Sequence, residues 1–450
     1  MTAQASAPRS RRSARPGSAV DRFLEQLDWP VVTQVAAAIA VFLVGARIPV
    51  FNGVEVGTLV GAALAPVWWA HLRRYHGARV LIGLGMLALL SGALLTLLAR
   101  GDREFSRALL QGESGQLVVL LLGLGVVLWA RSVLGSMPVA AWFALGMFVA
   151  GVLHPTELGL PWKYDFGIPA TILVLALAAW RGPRPWLEVP LAVVMAGSFA
   201  VNDARSLFGL VAMAGFVAVL QAALPRGRSS LRSLILPLGL LAAGAAAVYR
   251  ATTWAITAGW LGEAARQRTA IQFEQSGSML LGGRPEAGAS VNLISHQWWG
   301  YGSGTMAHRA DVELASQGMA AVAGRPPDTG YVLNYMFDYG YTMHSALAEF
   351  WINYGLAGLA FMLTAAALSV VALLHLLAQR RLTVVVVFLV MNTVWNMAFS
   401  PTTDTIYQLI ISAGLVLLPV TARPDTPDLG YTPGALGAPL LTPGARTPRG

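Results

Sequence analysis

The sequence predicts an all-helical membrane protein that crosses the bilayer about twelve times. Of its 450 residues, 56% are hydrophobic and 12% are charged, and its mean hydropathy is +0.59. Soluble globular domains carry roughly 25% charged residues, so this composition excludes an ordinary soluble fold. The apolar residues also fall into separate runs of bilayer-spanning length, and arginine is concentrated in particular loops between these runs.

Twelve apolar runs are each close to the roughly 20 residues that a helix needs to cross about 30 Å of hydrocarbon. Their approximate cores are 30–48, 54–72, 80–99, 116–131, 138–153, 168–180, 187–203, 206–224, 234–250, 346–377, 382–399 and 406–420. We therefore predict a basic cytoplasmic tail at 1–28, helices 1 to 9 within 29–250 and helices 10 to 12 within 346–420. The Pro/Gly-rich residues 421–450 predict a cytoplasmic tail without regular structure.

Arginine placement predicts the orientation, because cytoplasmic loops carry an excess of Lys and Arg. The loops 73–79, 181–185, 226–232 and 379–381 all contain arginine, whereas the short loops on the other side contain almost none. A multi-pass protein of the cytoplasmic membrane with both termini in the cytoplasm satisfies this pattern. The loop RGDREFSR at 100–107 is an exception, although its acids partly offset its arginines.

One connection is much longer than the others. Residues 251–345, about 95 in all, lie between the ninth and tenth spans on the extracytoplasmic side of this topology. Structureless loops of such length are uncommon unless they are functional or disordered. The segment is rich in Trp, Tyr, His and Gly, unlike the low-aromatic composition of disordered chains. We therefore expect a folded cap.

Several classes of site have no support in the sequence. The chain has no cysteine, which excludes disulfides, thiolate nucleophiles and zinc-cysteine sites. It has no Walker loop and no Asp-x-Asp motif, and His296 and His308 are too loosely spaced to predict a metal site. The net charge of +9 comes from basic residues in short runs between apolar segments, so it does not indicate nucleic-acid binding. We expect no metal and no other cofactor.

Two arginines on the extracytoplasmic side are candidate functional residues, because orientation rules deplete arginine there. Arg205 lies in NDARSLFGL at the start of the eighth span, and Arg284 lies in GGRPEAG in the large loop. A guanidinium is permanently charged and offers a planar fork of donors, so two of them would suit a lipid pyrophosphate. Alternatively, Arg205 snorkels to the interface or pairs with Asp203, and Arg284 pairs with Glu286.

A histidine and an acid open the tenth span. The imidazole of His344 can act as base, acid or phosphate donor because its ordinary pKa is close to neutrality, or it is simply a satisfied interfacial histidine. Glu349 lies about 140° further around the helix, so it would line the cavity separately or pair with a loop arginine. Trp298 and Trp299 of the large loop would stack on sugars or form part of an interfacial aromatic belt.

Three sequence elements also carry a family resemblance. They are NDARSLFGL, the segment GGRPEAGASVNLISHQWWGYGSG, and HSALAEFWINYGLAGLAFML with its glycines Gly355 and Gly358. In order and spacing they resemble the Ser-Arg, Gly-Arg and His-Asn-x-x-Leu elements of the O-antigen ligase and O-antigen polymerase superfamily of bacterial membrane glycosyltransferases. The resemblance covers roughly residues 190–420.

The resemblance implies a metal-independent transfer of an undecaprenyl-pyrophosphate-linked glycan to a sugar acceptor on the outer face of the membrane. It implies that Arg205 and Arg284 bind the donor pyrophosphate and that His344 activates or orients the acceptor hydroxyl. Implied partners are a lipid-linked oligosaccharide donor, a glycan or lipid-glycan acceptor, membrane lipid and a chain-length regulator. Polymerase and ligase are not separated by the sequence, although no feature of it points to a ligase acceptor.

The sequence departs from the family pattern at several positions. Ser345 stands in place of Asn, Asn353 stands where an acid is common, and Pro285 and Glu286 stand where an aromatic follows the loop arginine. Two other classes of function remain open. A transporter or flippase would account for the span count but not for the missing internal repeat or the large outer loop. A non-enzymatic scaffold would leave the three elements unexplained.

Overall fold

The computed structural model describes most of the chain between Trp29 and Val420. The tails predicted at 1–28 and 421–450 lie outside the described residues. The described residues are 29–51, 53–156, 159–223, 231–260, 263, 266–267, 269–270, 284–338 and 340–420.

The predicted helical fold class is confirmed, with one short hairpin among the helices. The antiparallel strands β1 (Pro49–Phe51) and β2 (Val54–Glu55) form this hairpin. The helices are α1 (Trp29–Ala46), α2 (Val56–Ala63), α3 (Ala65–His71), α4 (Ala78–Ala99), α5 (Arg107–Leu134), α6 (Ser136–Leu153), α7 (Gly167–Ala178), α8 (Pro185–Val201), α9 (Arg205–Ala223), α10 (Leu231–Thr257), α11 (Glu286–His296), α12 (Arg309–Ala323), α13 (Thr329–Tyr331), α14 (Ala346–Ala378), α15 (Val384–Phe399) and α16 (Thr402–Val416).

Six helices of the described chain, α1, α4, α5, α6, α9 and α14, are long and apolar enough to cross a membrane. Along α4 the leucines Leu87, Leu90, Leu94 and Leu98 are each more than half exposed, a surface that suits contact with lipid. Every predicted apolar run coincides with a helix, except that the second run is divided between α2 and α3. The count of twelve spans remains a prediction.

Loops far apart in sequence meet at one end of the helix bundle. The amide of His76 donates to the carbonyl of Leu418 over 2.8 Å. The buried side chain of Gln221 accepts from the amide of Leu382 and donates to its carbonyl, over 2.9 and 3.0 Å. These contacts join segments that the arginine pattern assigns to the same side of the membrane, while the assignment of that side to the cytoplasm stays a prediction.

Residues 284–345, which we call the cap, lie at the other end of the bundle and have a small core of their own. Helices α11 and α12 cross at Gly288 and Gly318, where a Cβ on either residue would collide with the carbonyl oxygen of the other. This close approach fixes the start of α11 against the rest of the cap. The core is formed by apolar side chains that include Leu293, Tyr301, Met319, Val332, Met336 and Tyr341, together with Ala348 and Ile352 of α14.

A kink in α14 attaches the cap to the bundle. Gly355 has φ 65° and ψ −152°, a conformation that is essentially restricted to glycine. Beside the kink, the carbonyl of Ile352 accepts from the amides of Tyr301 and Gly302 over 2.7 and 3.2 Å. Backbone polar groups at membrane depth need such partners because lipid offers none. The Gly-x-Gly turn of the cap therefore has a structural function at the kink.

A bidentate ion pair also ties the cap to the bundle. Arg103, in the loop between α4 and α5, donates to both carboxylate oxygens of Asp311, with 2.9 Å between Nη2 and Oδ1. The hydroxyl of Tyr341 donates to the same carboxylate over 3.0 Å, and the guanidinium lies 4.6 Å from the ring centre of Tyr301. One of the three arginines in the loop that departs from the orientation pattern thus has a structural partner in the cap.

Replacing Gly355 tests the kink. Gly355→Ala should destabilise the protein by about 2–4 kcal/mol, because the alanine is strained at this φ and its Cβ collides with the carbonyl oxygen of Trp299. The midpoint of thermal unfolding in detergent measures the effect. The matched control is Gly83→Ala on an open face of α4, where a Cβ meets no atom within 4 Å. Equal midpoints for the two variants would contradict the account.

Breaking the ion pair tests the attachment of the cap. Arg103→Gln should cost about 3–5 kcal/mol, because it leaves the carboxylate of Asp311, whose side chain is 1% exposed, without its cation. Arg309→Gln in α12 is the control, since Arg309 pairs with Glu313 at the surface and its loss should cost less than about 1 kcal/mol. Thermal unfolding and limited proteolysis of the cap distinguish the two variants.

Candidate functional site

Arg284 and His344, which are distant in sequence, line one small cleft where the cap meets the bundle. The cleft is narrow, with a cavity volume of about 10 Å³, and we call it the Arg284 cleft. Its walls come from the start of α11, the segment that enters α14 and the end of α15. Besides the two named residues it is lined by Glu286, Ala287, Met343, Ser345, Ala398 and Phe399.

The backbone on both sides of His344 is fixed. His344 has φ 48°, a left-handed conformation that costs a residue with a side chain roughly 1–2 kcal/mol. The preceding amide, of Met343, donates to Oε1 of Glu349 over 2.8 Å. The following residue, Ser345, caps α14 by accepting from the amide of Ala348, and its hydroxyl donates to the carbonyl of Met397. Ser345 is thus the capping residue of α14.

Two tyrosines hold the imidazole of His344. The ring of Tyr335 lies 5.2 Å from the imidazole at an angle of 12°, and the ring of Tyr331 lies 5.4 Å from that of Tyr335 at 13°. Tyr331 is itself 6.5 Å from the imidazole and parallel to it. Among the described residues no hydrogen bond fixes either imidazole nitrogen. The stack therefore orients the ring while its nitrogens are left for another partner.

A buried carboxylate anchors this stack. The hydroxyl of Tyr331 donates to Oε1 of Glu286 over 2.5 Å. Burial and, to a smaller extent, this hydrogen bond raise the pKa of Tyr331, so its phenol stays protonated and acts as a donor. The other oxygen, Oε2, is buried and has no partner among the described residues. Arg284 and Glu286 form no ion pair with each other, both being described. The ion pair between Arg284 and Glu286, which the sequence left open as an alternative, is therefore not formed.

Charges around the cleft control the protonation of His344. Burial lowers its pKa from the ordinary value of 6.5, Glu286 raises it, Arg284 lowers it, and Asp404 in the first turn of α16 raises it. Pro401 occupies the capping position of α16, and no side-chain cap bond is formed there, so Asp404 does not cap the helix. A largely neutral imidazole at pH 7 can accept a proton from a hydroxyl.

Glu349 braces the loop that carries His344. Its Oε1 accepts from the amide of Met343 and its Oε2 accepts from the amide of Thr402 over 2.7 Å, and the residue is 5% exposed. It does not line the Arg284 cleft. In the described structure Glu349 positions the start of α14 against α16, and a contact of Glu349 with substrate stays a prediction.

The other predicted residues lie outside the Arg284 cleft. Arg205 begins α9 and donates to the hydroxyl of Thr269 over 2.9 Å, and the structure does not bring it to the wall that Arg284 and His344 share. Trp298 and Trp299 are about half exposed and pack edge to face, with ring centres 5.8 Å apart. Their exposure is compatible with both alternatives, so the roles of all three residues stay predictions.

The sequence did not single out Arg47, a further arginine at the cap end of the bundle. Arg47 follows α1, and its guanidinium lies 3.8 Å from the ring centre of Tyr407, whose hydroxyl donates to Glu55. Asp404 interacts electrostatically with both Arg47 and His344. The prediction placed Arg47 inside the first apolar run. The position of a cation at the very end of that run was the signal that could have marked it.

Comparisons of the chain with protein-family models, with curated proteins and with solved structures find no match. No group of three or more His, Asp or Glu side chains in the described part of the chain could hold a metal ion. The site itself consists of one guanidinium, one imidazole and one carboxylate around a cleft at the start of a long apolar helix.

The charge arrangement predicts opposite effects of two substitutions on His344. Glu286→Gln removes a neighbour that raises its pKa, so labelling of the neutral imidazole by diethyl pyrocarbonate should persist to lower pH than in the wild type. Arg284→Gln removes a neighbour that lowers the pKa, so labelling should be lost at higher pH. Peptide mass spectrometry reports the rate at each pH. His375, at the far end of α14, serves as the internal control, and equal profiles for both variants would contradict the arrangement.

Proposed function

We propose that the protein is a membrane glycosyltransferase of the O-antigen ligase or polymerase type, which transfers a polyprenyl-pyrophosphate-linked glycan to a sugar acceptor. The observation that carries this proposal is the Arg284 cleft, where a guanidinium and an imidazole share one wall between the cap and apolar helices. Such a position would be reached by a lipid-linked substrate from the bundle and by a polar substrate from the cap.

The donor side of the reaction needs a stabilised leaving group. Polyprenyl pyrophosphate gains negative charge as the bond from the anomeric carbon to its oxygen breaks, and a fixed guanidinium stabilises that charge most when water is excluded. Arg284 lines the cleft, with no carboxylate of the described chain within ion-pairing distance. It is therefore available to an anion. The family resemblance also implies a pyrophosphate contact for Arg205; because Arg205 does not line the Arg284 cleft, that contact stays a prediction.

The acceptor side needs a base. The hydroxyl oxygen of the acceptor forms a bond to the anomeric carbon, the bond to the pyrophosphate oxygen breaks, and the hydroxyl proton passes to the imidazole of His344. Burial and Arg284 favour the neutral imidazole that this step requires, and the tyrosine stack fixes its plane. Lowering the cost of orientation in this way is worth a large part of such a barrier.

The proposal includes a location and a topology. We place the protein in the cytoplasmic membrane with about twelve spans, both termini in the cytoplasm and the cap outside, where lipid-linked glycans are joined. Support comes from the six described helices that could cross a membrane and from loop contacts that follow the arginine pattern. We keep membrane lipid, the lipid-linked donor, the glycan acceptor and a chain-length regulator as proposed partners.

Substitution of the two cleft residues tests the function. In a strain that lacks the gene, Arg284→Ala and His344→Ala should each lower glycan transfer by at least about 100-fold, since one loses charge stabilisation and the other the base. Glycan profiling by gel and mass spectrometry measures the product. Arg309→Ala is the control for loss of an arginine from the cap, because Arg309 is exposed and does not line the Arg284 cleft.

The outcomes separate the candidate classes. Loss of polymer with accumulation of lipid-linked short repeats, at normal membrane levels of each variant, supports transfer. Single repeats on the acceptor then indicate a polymerase, and free long lipid-linked chains indicate a ligase. A normal profile with both variants would contradict the assignment and favour transport or a scaffold.

A further inference from the structure

A second and larger cleft lies on the cap beside the Arg284 cleft. Its cavity volume is about 420 Å³, and we call it the cap cleft. Its walls include Ala323 of α12, Arg325, Asp328 and Tyr331. Every residue that lines it belongs to the cap, whereas the walls of the Arg284 cleft come from both cap and bundle. The described walls of the cap cleft therefore include no residue of the apolar helices.

The size of the two clefts suits different groups. Ligand-binding pockets commonly hold roughly 300–1,000 Å³, so the cap cleft has room for a ligand of more than one ring. The Arg284 cleft, at about 10 Å³, has room for about one water molecule, so a substrate group must widen it to enter. A substrate with an extended glycan needs additional space next to the reaction centre. The cap cleft, lined by Pro285 and Tyr331 beside the Arg284 cleft, could supply it.

The walls of the cap cleft suit a neutral saccharide. Arg325 and Asp328 bring one charge of each sign, so the wall lacks the uncompensated cation that marks the Arg284 cleft. Pro326 and Pro327 form a stiff apolar surface that loses little freedom on binding. Apolar surface with a few fixed polar groups matches a sugar, which has apolar C–H faces and a rim of hydroxyls.

Tyr331 connects the cap cleft to the reaction centre. It lines the cleft, its hydroxyl binds Glu286, and its ring is parallel to that of His344 with 6.5 Å between centres. Asp328 fixes the backbone of this turn, since its Oδ1 accepts from the amides of Gly330 and Tyr331. A saccharide held against Tyr331 would thus have a hydroxyl close to the imidazole. Arg284, the group assigned to the donor, does not line the cap cleft.

We propose that the cap cleft is the subsite for the saccharide of the acceptor glycan, which presents its hydroxyl past Tyr331 to His344. This inference rests on the proposed function and adds the place and chemical class of its second substrate. The site binds a neutral sugar portion through apolar contact and through Arg325 and Asp328. The donor pyrophosphate occupies the separate Arg284 cleft.

Filling the cap cleft tests the proposal. Ala323→Trp places an indole in the cleft, and Ala321→Trp, two residues earlier on the exposed face of the same helix, is the matched control. Arg325→Gln, at an exposed position after the helix, removes a polar wall group with little risk to folding. Each variant is expressed in the strain that lacks the gene. Glycan profile, membrane level and binding of inorganic pyrophosphate by the purified protein are measured.

We expect Ala323→Trp to lower polymer formation at least roughly tenfold, and Arg325→Gln to lower it less, with lipid-linked short repeats accumulating. Pyrophosphate binding should be unchanged in both variants and weakened by Arg284→Ala. Normal polymer with Ala323→Trp and Arg325→Gln, while Arg284→Ala and His344→Ala abolish it, would overturn the subsite and leave the proposed function standing. Normal polymer with all four variants would overturn both. Loss with Ala321→Trp equal to that with Ala323→Trp would also overturn the subsite.

Discussion

The attachment of the cap depends on how one backbone carbonyl at the kink of α14 is satisfied. A helix in contact with hydrocarbon must keep its polar backbone groups paired, and Gly355 interrupts the regular backbone of α14. The Ile352 carbonyl beside it accepts from two amides of the turn around Tyr301. That turn contains glycines with positive φ that pack closely against α4 and α14. The glycines of the turn and the glycine at the kink therefore together form the contact between cap and bundle.

The candidate site is held rigid by this contact between cap and bundle and by two carboxylates with different functions. Both carboxylate oxygens of Glu349 accept hydrogen bonds from backbone amides, and these bonds fix the segment that leads into α14. Glu286 gives only one oxygen to Tyr331 and keeps the other buried without a partner among the described residues. An unpaired buried acceptor is costly, and such costs are commonly retained where a substrate or proton supplies the missing partner.

The two clefts differ in size, position and charge, so they suit different chemical groups. The Arg284 cleft is small, lies against the bundle and carries a guanidinium, which suits the anionic end of a lipid-linked donor. The cap cleft is larger, lies entirely on the cap and has balanced charge, which suits a neutral sugar. The tyrosine stack passes between them and ends at His344.

The helical fold, the positions of the apolar runs and a short set of candidate residues could be predicted from the sequence, because helical period and residue chemistry are local properties. Arg284 and His344 were each among these candidates. Their meeting in one cleft, the absence of Arg205 from its walls and the contacts of Glu349 with a loop could be seen only in the folded chain. The contact of Glu286 with Tyr331 depends on the crossing of α11 and α12 at Gly288 and Gly318, and such a crossing is set by packing between distant segments. No local pattern encodes a partner that lies dozens of residues away, so the assembly of the site belongs to the fold.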